Sequence, residues 1–391
     1  MATRSTLQFL RTETGSGLLL AVAAAVAILW ANSPWAADYF GLLAHAVPVQ
    51  IGPFSETLPI AGWVRTLMMP VFFLVVGLKI KQEIVRGELS NPRRLALPVL
   101  AAVGGVAVAA VVFLAVNLGE DGVAQAWPAA APTDAAIALA LVAIAAPRLP
   151  QPLRVFLLTV AIVQDLISVI LIALVFTEAL RPAMLGGACA TFLVLGAMSR
   201  WRTAPYAFWA VGYLLLWGFV LKSGVDPSLA GVLAAAVVPL QPKRPGGPGV
   251  LEQILAALHP YVAFLILPLF ILTAAGFSVR ELPADAPTAP VALGLGLALV
   301  LGKQAGVFGA AALAIGLKWA RRPMGAKWLE LYGVSVLCGV GFTLSLYIGG
   351  LAFPAEGVLA KVRIGVVAGS LVSALWGMAV LAYAQSRRSG E

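Results

Sequence analysis

The sequence predicts an all-α polytopic membrane protein of about 12 transmembrane helices, with a small β-hairpin outside the bilayer. Three observations predict it. Hydrophobic residues make up 61% of the chain and charged residues 11%, against roughly 45–50% and 25% in a soluble domain. The apolar residues fall in runs of about 20, the length a helix needs to cross hydrocarbon. The basic residues cluster at alternate ends of those runs, as a polytopic topology requires. The net charge of +9 therefore needs no nucleic-acid partner. Cys189 and Cys338 both lie within apolar runs and read as small buried hydrophobes, not as a disulfide framework.

The first span is expected over 15–31. Arg4 and Arg11 before it resemble the start of a signal peptide, but the many later spans favour an uncleaved first helix. A connecting segment with Pro34, Pro48, Pro53 and Pro59 follows. Residues 47–58 partly alternate apolar and polar about a Gly52-Pro53 turn, which predicts the outer-face hairpin. Further spans are expected over 59–76, 95–116, 123–146, 155–176, 184–198, 206–221, 229–240, 254–275, 291–317, 327–353 and 359–384. Two of these are interrupted. The span 123–146 is interrupted by Pro128 and then by Ala131-Pro132-Thr133-Asp134, and the span 327–353 by Cys338-Gly339-Val340-Gly341-Phe342-Thr343. With the N-terminus in the cytoplasm, the inner loops hold most of the 26 Lys and Arg residues, among them Lys79, Lys81, Arg93, Arg94, Arg321 and Arg322. Arg65, Arg181, Lys222, Arg280, Lys361 and Arg363 fall outside. That bias predicts an even number of spans with both termini cytoplasmic, in one domain covering 1–391.

Three ionisable residues lie deep inside apolar spans: Asp134, Asp165 and Lys303. Charge at that depth costs at least about 2.5 kcal/mol, so each is a candidate functional residue. Each also has a plainer reading. Asp165 would be a protonated acid bonded to a neighbouring helix, Asp134 a helix N-cap, and Lys303 a structural counter-ion. The interrupted spans favour function. A broken helix in a membrane frees backbone N–H and C=O groups, and such breaks persist where they line a polar cavity. Carboxylates, the Thr133 hydroxyl and freed carbonyls are hard ligands suited to Na⁺ or Li⁺. A carboxylate that takes either H⁺ or Na⁺, but not both, suffices for exchange.

These residues carry a family likeness. The chain resembles the bacterial NhaA-type sodium/proton antiporters over nearly its whole length. The resemblance rests on Phe72-Phe73-Leu74-Val75-Val76-Gly77-Leu78, Thr133-Asp134, residues 161–166, Ser223-Gly224-Val225 with Leu229-Ala230-Gly231, His259-Pro260 with residues 265–270, Gly302-Lys303 and residues 338–345. It implies twelve spans in two inverted five-helix repeats, two crossing broken helices at Pro132 and at Gly339 and Gly341, and a homodimer held partly by the 47–58 hairpin. It implies a multi-pass protein of the bacterial inner membrane that exports Na⁺ and Li⁺ in exchange for H⁺ by alternating access, with no cofactor. Asp165 matches the family's principal ion-binding acid, and Asp134 and Thr133 match its partners, so these three are the expected Na⁺ ligands. Lys303 matches the lysine that pairs with the first acid of an Asp-Asp dyad.

Here the sequence departs from the pattern. The dyad's first position is Gln164. Lys303 is then expected either to turn to Asp165 or to sit neutral. The residues assigned to pH response also differ: Lys79 stands where the family has a Glu, and Asp226 where it has a His, while Glu83, Glu252 and His259 complete the set. Two rival functions are a sodium-coupled organic-anion symporter of similar fold and an intramembrane aspartyl protease using Asp134 and Asp165. The first is favoured by Gln164 but not by the Asp134–Asp165–Lys303 set. The second lacks the Tyr-Asp and Gly-x-Gly-Asp contexts such enzymes need.

Overall fold

The computed structural model describes residues 13–51, 54–86, 92–120, 123–177, 180–201, 205–241, 249–280, 282, 285–353 and 356–389. In chain order the elements are α1 (Glu13–Ala31), α2 (Ala36–Ala44), β1 (Ala46–Ile51), β2 (Phe54–Pro59), a short helix Ile60–Trp63 with a π turn Val64–Met68, and α3 (Met69–Arg86). Then come α4 (Pro92–Val116), a 3-10 helix Ala124–Ala130, α5 (Ala135–Ala145), α6 (Gln151–Val175), α7 (Pro182–Met198), α8 (Tyr206–Ser223) and α9 (Ser228–Val237). The last third holds α10 (Val250–Tyr261), a π turn Val262–Ile266, α11 (Leu267–Ala274), α12 (Pro290–Leu297), a π turn Ala298–Gly302, α13 (Lys303–Gly316), α14 (Trp328–Leu337), α15 (Phe342–Ala352) and α16 (Glu356–Ser389).

Among the described residues eight helical segments are long and apolar enough to cross a bilayer, or ten if each of two bent pairs counts as one span. The two shorter apolar helices, α7 and α9, complete a one-to-one match with the twelve expected runs. The Gly52-Pro53 turn and the basic residues Arg4, Arg11, Arg202, Lys243 and Arg244 lie outside the described residues.

The chain packs as two compact units. The first comprises Met1–Pro34, Asn91–Ser168 and Ala274–Glu391. Its tightest helix contact is α4 against α13. A β-carbon on Gly306 would lie 2.2 Å from the Gly104 carbonyl oxygen, so the two backbones touch there. Gly302 and Gly306 are four apart, the small-residue spacing that lets membrane helices approach closely. The π turn directly before Lys303 offsets the helix register at the point where that lysine leaves it. Asn32 ends α1 with a local and a long-range bond, its amide donating to the Ile28 and Phe277 carbonyls at 2.8 and 2.9 Å.

The second unit comprises Trp35–Ser90 and Val169–Thr273. Its core holds Leu74, Leu78, Leu195, Leu216, Val220, Ala230 and Leu251. The hairpin pairs β1 with β2 antiparallel, with Val47 opposite Leu58 and Val49 opposite Glu56. A two-stranded sheet is marginal alone. This one is tied down at both ends: Trp63 Nε1 donates to the Val47 carbonyl at 2.9 Å, and Lys222, at the end of α8, pairs with Glu56 and donates to the Ser55 carbonyl at 3.0 Å.

Candidate functional site

The first broken span turns by 44° between the 3-10 helix Ala124–Ala130 and α5. Residues 131–134 are not helical. Pro132 has no N–H to give, and it disfavours helical geometry at Ala131 before it. The second span breaks at residues 338–341, where a β-carbon on Gly339 would meet the Leu299 carbonyl oxygen at 2.3 Å. The two breaks cross and satisfy one another. The Asp134 N–H donates to the Val340 carbonyl at 2.6 Å, and the Thr133 hydroxyl lies 2.5 Å from the Cys338 carbonyl. Groups that the lost helical turns set free therefore find partners on the other broken span, as a low-dielectric setting demands.

Lys303, fully buried, enters this crossing from the start of α13. An ammonium has three N–H bonds, and here all three reach neutral oxygens: the Ala131 carbonyl at 2.5 Å, Gln164 Oε1 at 2.7 Å and Thr133 Oγ1 at 3.3 Å. Gln164, on α6 and fully buried, gives its amide N–H to the Ala102 carbonyl at 3.3 Å. Thr133 Oγ1 also lies 2.5 Å from Gln164 Oε1. One hydroxyl proton thus serves two acceptors, Gln164 and Cys338.

The charges match the ends of the half-helices. Lys303 sits on the carbonyl that follows the 3-10 helix, a C-terminal and partly negative end. Asp134 sits at two N-terminal ends. It caps α5, accepting the Ile137 N–H at 3.2 Å, and it accepts the Thr343 hydroxyl from the first turn of α15 at 2.5 Å. The backbone N–H groups of Ala136 and Thr343 also face it. The capping role and a place at the crossing coincide in one side chain.

Asp165 follows Gln164 on α6, about 100° around the helix at 3.6 residues per turn. Gln164 is sealed, whereas Asp165 is partly accessible. Asp165 and Lys303 interact electrostatically, yet the direct hydrogen bonds of Lys303 go to neutral groups. The direct hydrogen bonds of Lys303 therefore do not include the expected partner Asp165. The physical reason is that the amide oxygen of Gln164 remains an acceptor in the lost acid's place, and the break supplies a carbonyl beside it.

The sequence model of the Na⁺/H⁺ antiporter 1 family matches residues 7–381. The chain belongs to that family. The Na(+)/H(+) antiporter NhaA of Nitrobacter hamburgensis is 46% identical over 375 residues, covering 95% of this chain and 90% of the relative. The NhaA antiporter of Sphingopyxis alaskensis is 44% identical, covering 95% and 89%. The NhaA 2 antiporter of Erythrobacter litoralis is 40% identical, covering 95% and 92%. A member of the Na⁺/H⁺ antiporter 1 family is a transporter and not an enzyme, which removes the protease reading of Asp134 and Asp165.

Within this family member, the residues assigned to pH response all fall in the second unit. Lys79 and His259 interact electrostatically, and Glu83 follows Lys79 by one turn of α3. Glu252 accepts the Gly249 N–H at 3.0 Å at the start of α10. Asp226 accepts the Ser228 N–H at 2.9 Å at the start of α9. Lys81 occupies the other end of α9, on the Ala236 and Val238 carbonyls at 2.6 Å each. Asp226 is therefore about 15 Å from that end, given 1.5 Å per helical residue. The expected breaks contain Thr343 and the carbonyls of Ala131, Cys338 and Val340, but sequence reasoning did not single out Thr343 or give these carbonyls their partners. The available signal for Thr343 was a hydroxyl residue two positions after Gly341, in the first turn past the break.

Proposed function

We propose that the chain exports Na⁺, and Li⁺, across the bacterial inner membrane in exchange for H⁺ by alternating access. In this reading Asp165 is the exchangeable acid, binding H⁺ or Na⁺ in turn. Asp134 and Thr133 complete the cation's oxygen shell, and Gln164 and Lys303 couple it to the proton. Alternating access involves two inverted repeats, both termini face the cytoplasm, and the protein works as a homodimer with the β1–β2 hairpin at the contact. Lys79, Glu83, Glu252, His259 and Asp226 tune the response to pH. The observation that supports the reading is the crossing itself: a buried lysine, the Asp134 carboxylate and the Thr133 hydroxyl meet where two spans break, with Asp165 next to Gln164 on α6.

The chemistry follows from shared ligands. Na⁺ seeks the same hard oxygens that the Lys303 ammonium now uses. A cation arriving at Asp165 must draw Thr133 Oγ1 away from Lys303 and Gln164, and its charge repels the ammonium. Proton release and cation entry then belong to one event.

The test is Asp165→Asn in proteoliposomes loaded with a pH-sensitive dye. Na⁺-driven proton movement should vanish while the thermal unfolding midpoint in detergent stays near that of the wild type. Near-normal exchange by a folded Asp165→Asn protein would place the exchangeable group elsewhere.

A further inference from the structure

The last helix, α16, runs antiparallel to the second broken span and touches it along its length. A β-carbon on Gly333 would lie 2.7 Å from Leu381 Cδ2, and one on Gly377 would lie 2.5 Å from Leu337 Cδ2. A β-carbon on Gly339 would meet Ser373 Oγ at 2.4 Å, and the Phe342 N–H reaches Ser370 Oγ at 3.3 Å. The pairs 333/381, 337/377, 339/373 and 342/370 keep one register. Leu381 on Gly333 and Leu337 on Gly377 let the two helices pack closely along this face.

Besides the Ser370 contact at the break, a charged contact holds the register from the far end. Glu330, 2% exposed, divides its carboxylate between two partners. Oε2 accepts the Lys327 N–H at 2.8 Å, holding the first turn of α14, and Oε1 accepts Arg388 Nη1 at 2.7 Å. The other guanidinium nitrogen of Arg388 donates to the Gly325 carbonyl at 3.1 Å. Gly325 has a φ of 75°, so the turn it shapes is closed to residues with a β-carbon except at strain. Arg388 thus grips both sides of the turn that starts α14. One turn earlier on α16, Gln385 Oε1 accepts the Arg148 N–H at 3.3 Å, just past the end of α5. The terminal turns of α16 touch the outer ends of both broken spans.

We infer that Glu330 and Arg388 form a latch that sets the height of the second broken span, making both positioning residues for cation binding. Eight residues separate Glu330 from Cys338, about 12 Å of rigid helix. A shift at the latch is carried to the Cys338 and Val340 carbonyls, which hold the Thr133 hydroxyl and the Asp134 N–H. Without Arg388, the buried Glu330 carboxylate keeps only its backbone partner and is drawn toward water, taking α14 with it.

The inference rests on the exchange activity proposed above, and wild-type protein measured alongside separates the two. Na⁺/H⁺ exchange is measured in proteoliposomes for wild type, Arg388→Gln, Glu330→Gln and the double variant. Each single variant should raise the half-saturating Na⁺ concentration at least threefold and leave the maximal rate within twofold. The double variant should be no worse than the weaker single one, because the two side chains act through one contact. A purely structural contact would lower folded yield and maximal rate together and leave half-saturation alone. Unchanged half-saturation in Arg388→Gln, or multiplied losses in the double variant, overturns the latch. If Arg388→Gln does not accumulate, Arg388→Lys is read instead, and half-saturation equal to wild type overturns it equally. Wild-type protein without exchange sinks the functional reading and leaves the latch to be judged by α14 position alone.

Discussion

Lys303 makes three hydrogen bonds at the crossing, and its environment was only half legible in the sequence. An intramembrane lysine announces itself by the cost of burying charge, and so does an acid such as Asp165. What the ammonium touches does not: the Ala131 carbonyl is not marked as its partner until the crossing is known. Gln164 read as a missing acid, yet in the structure it keeps the acceptor and loses only the charge. The Lys303→Gln variant follows from this geometry. An amide has two N–H donors for three acceptors, and it leaves the half-helix end at Ala131 uncompensated. Hydrogen bonds from a charged donor contribute about 1.5–3 kcal/mol each, so the folded state should lose about 2–3 kcal/mol. A clear fall in the thermal unfolding midpoint in detergent is expected, together with altered dependence of transport on membrane potential. Wild-type values for both would leave Lys303 without a structural or coupling role.

At the scale of elements, the breaks were readable because proline and glycine in an apolar run cannot continue a helix with full bonding. The hairpin was readable from alternation about Gly52-Pro53. The π turns were not, because Val64–Met68, Val262–Ile266 and Ala298–Gly302 have ordinary helical compositions and owe their extra residue to packing. The packing of α4 on α13 was also hidden, since Gly104 and Gly306 are far apart in the chain. That contact holds Lys303 at its depth, one turn from Gly306. Gly306→Ala places a methyl 2.2 Å from the Gly104 oxygen, so the helices must part. A cost of about 1–3 kcal/mol is expected for such overpacking. It should appear as a lower unfolding midpoint and weaker Na⁺ affinity, because Lys303 moves with α13. If Gly306→Ala unfolds like wild type, the α4–α13 contact is looser than the structure has it.

For the whole molecule the question is how pH enters. The chain has two histidines, His45 and His259, the side-chain type whose ordinary pKa lies nearest neutrality. Lys79 replaces an acid at the expected entry, and Gln164 removes one carboxylate from the crossing. Two of the direct bonds of Lys303, to the Ala131 carbonyl and Gln164 Oε1, go to neutral oxygens outside the proposed Na⁺ shell, so the ammonium need not lose its proton when Asp165 changes partner. One proton then competes with one Na⁺ at Asp165. Under such competition the half-saturating Na⁺ concentration tracks the proton concentration. It should fall about tenfold per pH unit through the acid range and level off once Asp165 is fully ionised. The maximal rate at saturating Na⁺ should change little across that range. A hundredfold fall per unit would mean that two protons leave, with Lys303 giving up the second. A steep on/off change at saturating Na⁺ would point instead to a separate pH switch, for which Lys79 and His259 are the pair to mutate first. The measurement is the initial rate of Na⁺-driven proton movement at several Na⁺ concentrations per pH value, with the membrane potential collapsed so that only binding competition is read.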